Sequence, residues 1–479
     1  MTRNTATYDG PDQGSQVRRA TLVAASLGFS VIQLDVFVVN VGIKTIGAQL
    51  GGGTSALQWV VSAYTLMLAA FILTAGALAD RLGARRMYCT GFVVFVAASL
   101  ACGLAPAMGV LIAARAVQGV GAAILGACSL ALLNHTFHDP AGRTRAVGLW
   151  AAGASVALAL GPVLGGLLIA GFGWRSIFFI NLPIGAAGFW LTRRYAQETP
   201  PADRQLDLTG LVAIVAALGG LAFALIQGGA TGFISLPVIT ALAIAAMAAA
   251  IFVRNEATER EPMLPLALFR RWAFTGPALL GLMINVAFYG LVFLFSLLLQ
   301  KEDGFSAPAT GLAFLPLAGS VFAANLVSGR LSALIGSRVV ILIGLAAMFA
   351  GCLSLLWAGA GTPFGELVLQ QMVLASGIGL LVPQMTSLLM GSVDRSRSGV
   401  AAGTLNAMRQ AGSVLGVAVF GALVSGGGHF TSGLHVALVL SIVLIVASAL
   451  VMAAPDGAGA LPRLRSVFDR WWRSVRSGP

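Results

Sequence analysis

Runs of about 20 consecutive apolar residues, broken by short charged segments, recur along the whole of this 479-residue chain. A run of that length crosses the hydrocarbon core of a bilayer as a helix that closes its own backbone hydrogen bonds, and no soluble surface accommodates many of them. The runs number fourteen. They are centred near Gly28, Leu68, Val96, Ala122, Ala157, Gly185, Ala217, Ala245, Ala287, Val321, Ala347, Ile378, Val414 and Ile442. With 58% apolar and only 10% charged residues, the chain is predicted to be an all-α polytopic membrane protein with 14 transmembrane helices. The stretch to Gln16 is polar and lacks the apolar core of a signal peptide, so the first helix is expected to be retained.

A net charge of +12 in a soluble protein would point to nucleic acid, but here the basic residues are segregated by topology. If the chain starts inside, 24 of its 29 Lys and Arg fall in inner segments or tails; only Lys44, Arg175 and Lys301 fall outside, and Arg115 and Arg409 lie within helices. By the positive-inside rule both termini face the cytoplasm. A missed helix would have inverted the asymmetry downstream of the error. The basic tail from Arg463 to Arg476, with Trp471 and Trp472, reads either as an interfacial helix on anionic lipid or as a solvated tail.

Several chemistries find no support. Cys89, Cys102, Cys128 and Cys352 sit inside predicted spans without CxxC or paired spacing, so neither a disulfide framework nor a zinc site follows. His135 and His138 fall at a helix end without the further ligands zinc requires. No phosphate-binding loop, serine elbow or dinucleotide fingerprint stands in a suitable setting. The chain is not expected to be an enzyme or to hold a metal or cofactor; its energy source would be an ion gradient or a partner.

An internal repeat supplies the architecture. Gly76-Ala-Leu-Ala-Asp-Arg-Leu-Gly-Ala-Arg85 follows the second helix and Gly329-Arg-Leu-Ser-Ala-Leu-Ile-Gly-Ser-Arg338 the tenth, while Gly161-Pro-Val-Leu-Gly165 in the fifth is echoed by Gly412-Ser-Val-Leu-Gly416 in the thirteenth. Both offsets are eight helices, whereas a duplicated six-helix unit gives six, so the seventh and eighth helices read as an insertion between two six-helix bundles. The expected division is an N-terminal tail over 1–18, a first bundle over 19–195, a linker with two inserted helices over 196–260, a second bundle over 261–454 and a basic tail over 455–479.

Asp35 and Arg115 are both ionisable residues within helices. A charge deep in a bilayer costs about 2.5 to 3.5 kcal/mol on insertion scales, which makes such a residue a functional candidate. Asp35 and Arg115 would each seek the other or a wet cavity. Arginine stays protonated, so the titrating member is Asp35. Motion of Arg115 relative to Asp35 would then switch proton affinity between states; the alternative is a static pair locking two helices.

At this point the chain resembles the fourteen-helix drug:proton antiporters of the major facilitator superfamily. The likeness rests on Leu34-Asp-Val-Phe-Val-Val-Asn-Val41 in helix one, Gly76 to Arg86 in the following loop, Leu111-Ile-Ala-Ala-Arg-Ala-Val-Gln-Gly119 in helix four, Gly161-Pro-Val-Leu-Gly-Gly166 in helix five and Phe178-Phe-Ile-Asn-Leu-Pro-Ile-Gly185 in helix six. It implies proton coupling by Asp35 and Arg115, a gating loop of Gly76, Asp80, Arg81, Gly83, Arg85 and Arg86, and an antiporter helix carrying Gly153, Gly161, Pro162, Gly165 and Gly166 that seals the path in turn. The small residues of that helix recur every four positions and permit close helix approach, and Pro162 favours a bend. In the second loop copy Ala333 and Leu334 replace the acid and the first arginine, so the gate is expected to be asymmetric. Phe37 and Lys44 stand where the helix-one pattern has a small hydroxyl residue and a proline.

Polar and aromatic residues in the spans, Asn40, Tyr64, Gln118, Asn285, Phe288, Tyr289 and Asn325, are the candidates for a substrate cavity. With Asp35 as the one deep carboxylate among 17 acidic residues, the expected cargo is a small amphipathic molecule, neutral or monocationic, and dications are disfavoured. The function read from the sequence is proton-driven efflux of drugs or antibiotics by a monomer in a bacterial inner membrane, with protons and the lipid bilayer as its other partners. A dedicated exporter of one metabolite is the alternative, and an uptake symporter or a membrane sensor are further ones. The symporter pattern Glu256-Ala-Thr-Glu-Arg260 falls in the loop between helices eight and nine, away from helix one.

Overall fold

The computed structural model describes residues 11–201, 206–259, 262–357, 362–394, 398–425 and 430–453, which excludes the basic C-terminal tail. Fifteen α-helices follow one another: α1 (Pro11–Leu50), α2 (Thr54–Leu82), α3 (Ala84–Gly103), α4 (Met108–Thr136), α5 (Pro140–Phe172), α6 (Ser176–Phe179), α7 (Asn181–Tyr195), α8 (Leu208–Thr231), α9 (Leu236–Thr258), α10 (Trp272–Leu297), α11 (Ala307–Ile335), α12 (Ser337–Leu355), α13 (Phe364–Gly391), α14 (Ser398–Ser425) and α15 (Phe430–Ala453). A 3₁₀ turn, Leu266–Arg270, precedes α10 and a π turn, Leu298–Glu302, ends it.

All fourteen expected centres fall on these helices, and 13 of the helices are long and apolar enough to cross a membrane. The sixth span is the difference. It is split at Ile180 into α6 and α7, because Pro183 has no N–H to return to the preceding turn and its ring crowds that turn. α1 begins at Pro11, so helix runs through residues 11–18 of the segment expected to be a tail.

α1 packs on α4, α5 and α7, and α3 packs on α4 and α7, while α10 packs on α13, α14 and α15 and α12 on α13 and α15. The α8–α9 pair lies against α2 and α14. Its base is tied by polar contacts. Asp207 caps α8 through the Gly210 amide at 2.7 Å and accepts from Asn255 Nδ2 at 2.7 Å, and Glu256 accepts the Leu264 amide at 2.8 Å. Glu256 is thus buried in the last turn of α9, not in the loop where the sequence placed it, and Asp35 is not the only buried carboxylate.

The loop after α2 turns at Gly83, whose φ of +95° only glycine adopts readily. It leads into α3, whose first amides are capped from α7's far side: Thr199 Oγ1 accepts from Ala84 N at 2.7 Å, and Glu198 accepts from Arg85 N at 2.9 Å and Arg86 N at 3.2 Å. A carboxylate here satisfies orphan donors and faces the positive end of the helix. The second copy makes the same kind of turn at Gly336, φ +84°, into α12. Gly76 has open space beside it.

The bundles meet at the end opposite the described chain termini. A methyl group on Gly311 of α11 would lie 2.2 Å from the Pro162 carbonyl of α5, and one on Gly166 would lie 2.7 Å from the Ala307 carbonyl. Gln58 at the start of α2 donates to the Val417 and Ala418 carbonyls of α14 at 3.0 and 3.1 Å. Toward the other end the same helices expose Leu149 and Val156 on α5 and Leu326, Val327 and Leu334 on α11.

Candidate functional site

Close helix approach builds the site. A methyl group on Gly119 would sit 2.3 Å from the Tyr64 carbonyl, so α4 lies directly on α2. That contact brings Arg115, three to four residues earlier on the same face, to the α2 backbone, where its Nε donates to the Val60 carbonyl at 3.0 Å. The guanidinium then forms an ion pair with Asp35 Oδ2 of α1. Asp35 and Arg115 are 2% and 1% exposed, so the pair is sealed from solvent on all sides.

Neutral donors complete the carboxylate's shell. Asp35 Oδ1 accepts from Gln118 Nε2 at 2.9 Å and from Asn181 Nδ2 at 3.2 Å, and both amides also donate to Ser99 Oγ, at 2.9 and 3.3 Å. Gln118 Oε1 in turn accepts from the Arg115 guanidinium at 2.7 Å. The guanidinium carbon lies 4.3 Å from the Tyr64 ring centroid. Four helices, α1, α3, α4 and α7, thus surround one carboxylate with hydrogen-bond donors and their shared acceptor Ser99.

Two expected cavity residues belong to this network. Gln118 and Tyr64 are fully buried, the first bonded to both charges and the second stacked on Arg115. Ser99 and Asn181 were absent from the sequence reading; Asn181 lies inside the helix-six pattern, directly after the break at Ile180. Gln118→Ala removes partners from both Asp35 and Arg115, and each orphaned buried group costs about 1–3 kcal/mol. Asn285 bonds only its own helix, to Gly281 O at 2.7 Å. In detergent the thermal midpoint of Gln118→Ala is therefore expected to fall well below that of Asn285→Ala.

The remaining candidates distribute as follows. Phe288 is buried and stacks edge-on against Tyr289, whose ring centroid lies 6.4 Å from that of Phe37 across the bundles. Asn325 on α11 has a buried side-chain oxygen without a partner among the described residues. The small face of α5 packs mostly inside its own bundle. Methyl groups on Gly153, Gly161 and Gly165 would meet Ser30, Phe37 and Val38 of α1. Only Gly166 and the Pro162 carbonyl face α11. Asp80 has an interaction partner, and Arg86 pairs with Glu198 at 3.7 Å. His135 and His138 stand 6.0 Å apart, and no cluster able to hold a metal occurs among the described residues.

Asn40 takes part in an unusual contact. Its side chain bonds back to Val36 O at 2.8 Å, while its carbonyl accepts from Ser296 Oγ and from Gln300 Nε2, the latter at 3.1 Å. Gln300 Oε1 accepts from Lys44 N at 3.2 Å. The carboxamide therefore bridges a carbonyl and an amide four residues apart, the pair that bond each other in an uninterrupted helix. The π turn at Leu298–Glu302 presents Gln300 for this insertion. Lys44, unlike the proline expected there, supplies the N–H that the bridge uses.

Comparison with known proteins agrees with this architecture. A family model described as Major Facilitator Superfamily matches residues 25–417 and 317–479. The chain is 39% identical over 86% of its length to the methylenomycin A resistance protein of Streptomyces coelicolor, covering 86% of it. It is 39% identical over 85% of its length to the multidrug resistance protein Stp of Mycobacterium tuberculosis, covering 75% of that protein. It is 30% identical over 85% of its length to the tetracenomycin C resistance and export protein of Streptomyces glaucescens, covering 76%. Among solved structures, human MFSD10 superposes with a TM-score of 0.63 at 15% identity, over 90% of this chain and 99% of that one, and nucleoside transporter NupG with 0.63 at 15%, over 91% and 100%. At such identity these two show the fold alone.

Proposed function

Because this chain belongs to the major facilitator superfamily, and relatives spanning most of its length are resistance, efflux and export proteins, we propose that it expels small amphipathic molecules from a bacterial cytoplasm in exchange for protons. The observation that carries the coupling is the buried Asp35–Arg115 pair, closed by Gln118, Asn181 and Ser99. The excess of basic residues at the termini-bearing end assigns that end to the cytoplasm. The end where Gly311 meets Pro162 then faces outward and is shut.

Mechanistically, protonation of Asp35 cancels its charge and releases Arg115, which still has the Val60 carbonyl and Gln118 for partners. The two halves rock about the midplane, and deprotonation toward the cytoplasm restores the pair. One inward proton supplies about 2.3 kcal/mol per 100 mV and about 1.4 kcal/mol per pH unit. A single deep carboxylate beside a paired arginine offers nothing to a dication. The same fold serves a dedicated exporter of one compound, a reading favoured by relatives named for single antibiotics; a susceptibility panel in a pump-deficient host separates narrow from broad.

The direct test uses inside-out vesicles with an acidified lumen. Added substrate is expected to release lumenal protons in proportion to its uptake, and a protonophore to abolish both. Uptake that ignores the proton gradient would sink the mechanism.

A further inference from the structure

Arg409 lies in the middle of α14, inside a membrane span, and the coupling site makes no use of it. Among the described residues it forms no hydrogen bond and no ion pair; the salt bridges are those of Arg86 with Glu198 and Arg115 with Asp35. Its Nε is buried with no acceptor. The C-terminal bundle cannot supply a counter-charge, because α10, α11, α12, α14 and α15 contain no Asp or Glu and the one on α13, Glu366, is exposed in its first turn at the far end. An intramembrane cation without an anion implies a partner that comes and goes.

The surroundings show where that partner sits. Gly281 of α10 leaves room for the arginine stem, since a methyl group there would lie 3.3 Å from Arg409 Cγ. Asn285, Phe288 and Tyr289 follow at helical spacing on the same face of α10. The Tyr289 ring reaches Phe37 of α1, two residues from Asp35. A polar amide, two aromatic rings and a guanidinium thus gather where α10 packs on α14, beside the coupling helix.

We propose that Arg409 is the anion-recognition residue of the substrate site and that the cargo is an amphipathic monoanion, such as a carboxylate, a sulfonate or an ionised phenol. The inference rests on the efflux reading and narrows it. With Asp35 and Arg115 cancelling, the path carries one uncompensated positive charge, which welcomes an anion, tolerates a neutral molecule and repels the monocation that the carboxylate count alone had left open. Exchange also gains from this choice. A proton in and an anion out move two positive charges inward per cycle, against one for a neutral cargo and none for a monocation, so the membrane potential acts on twice the charge.

The test uses two dyes with one skeleton, 8-anilinonaphthalene-1-sulfonate and neutral N-phenyl-1-naphthylamine, with the full-length protein in detergent for binding and in inside-out vesicles for transport. Wild type is expected to bind the sulfonate about tenfold more tightly than the neutral dye. Arg409→Gln is expected to lose that tenfold for the sulfonate, keep its affinity for the neutral dye and elute as a folded monodisperse species; Arg409→Lys is expected to recover part of the loss. Equal losses for both dyes, or no loss for the sulfonate, overturn the proposal. Wild type that prefers the neutral dye overturns it as well. If the neutral dye still drives proton release in vesicles, the efflux reading survives that failure; if neither dye moves protons, binding alone still decides the role of Arg409.

Discussion

Asp35→Asn is expected to reduce substrate-driven proton release to the leak rate of empty vesicles while the protein still inserts and folds. The asparagine keeps the volume of the side chain and an oxygen for Arg115, but it cannot titrate. Breaking a buried pair by removing one partner costs about 3–5 kcal/mol when the other charge is left bare. Here Arg115 keeps the Val60 carbonyl and Gln118 Oε1, so the loss of thermal stability should fall short of that range. Arg115→Gln in the same chain removes the stranded cation, and the double variant is expected to be more stable than Asp35→Asn alone. Transport separates coupling from architecture. Stability regained without transport marks Asp35 as the proton carrier, whereas transport surviving in Asp35→Asn would refute that role.

Gly311→Val should hold open the end where α5 meets α11. Its Cβ would fall 2.2 Å from the Pro162 carbonyl, and backbone cannot yield as a flexible side chain can. Gly166→Ala acts on the same seam with a milder overlap, 2.7 Å from Ala307 O, so its effect should be smaller. In a background with the four cysteines replaced, Tyr289→Cys reports the result. A membrane-impermeant thiol reagent is expected to label it from outside in the Gly311→Val protein and to leave it protected otherwise, with transport lost. Equal labelling in both would remove the α5–α11 seam from any gating role. The seam also explains why the repeated small residues of α5 are not all equivalent: Gly161 and Gly165 bed α1, whereas Gly166, beside Pro162, meets α11 of the other bundle.

The spans were legible because apolar runs of bilayer length leave few alternatives, and the Asp35–Arg115 pair because two charges inside those runs must find each other. The split at Ile180 was hidden by a run whose hydropathy continues through Pro183. Gln118 and Tyr64 were assigned to the cavity because a polar residue on a helix shows no direction in the sequence; its partner is fixed by which helix lies opposite. Ser99, Asn181, Glu198 and Gln300 were missed for a related reason, since each acts on residues far away in the chain. Arg409 was visible as a charge within a span, but its significance lies in the absence of Asp and Glu from α10, α11, α12, α14 and α15.

Gln300 has a thermodynamic consequence for the closed end. A seal made of private hydrogen bonds would, on parting, strand buried donors and acceptors at about 1–3 kcal/mol each. The carboxamide binds one rung of α1, a helix unbroken from Pro11 to Leu50: when α10 withdraws, Asn40 C=O and Lys44 N–H keep each other as helical partners, and Gln300 and Ser296 turn to water entering the gap. Parting of this contact is then an exchange of acceptors with almost no change in the number of bonds. The barrier to opening resides in geometry and not in lost bonding, so a small bias from the proton or the cargo suffices to tip the equilibrium.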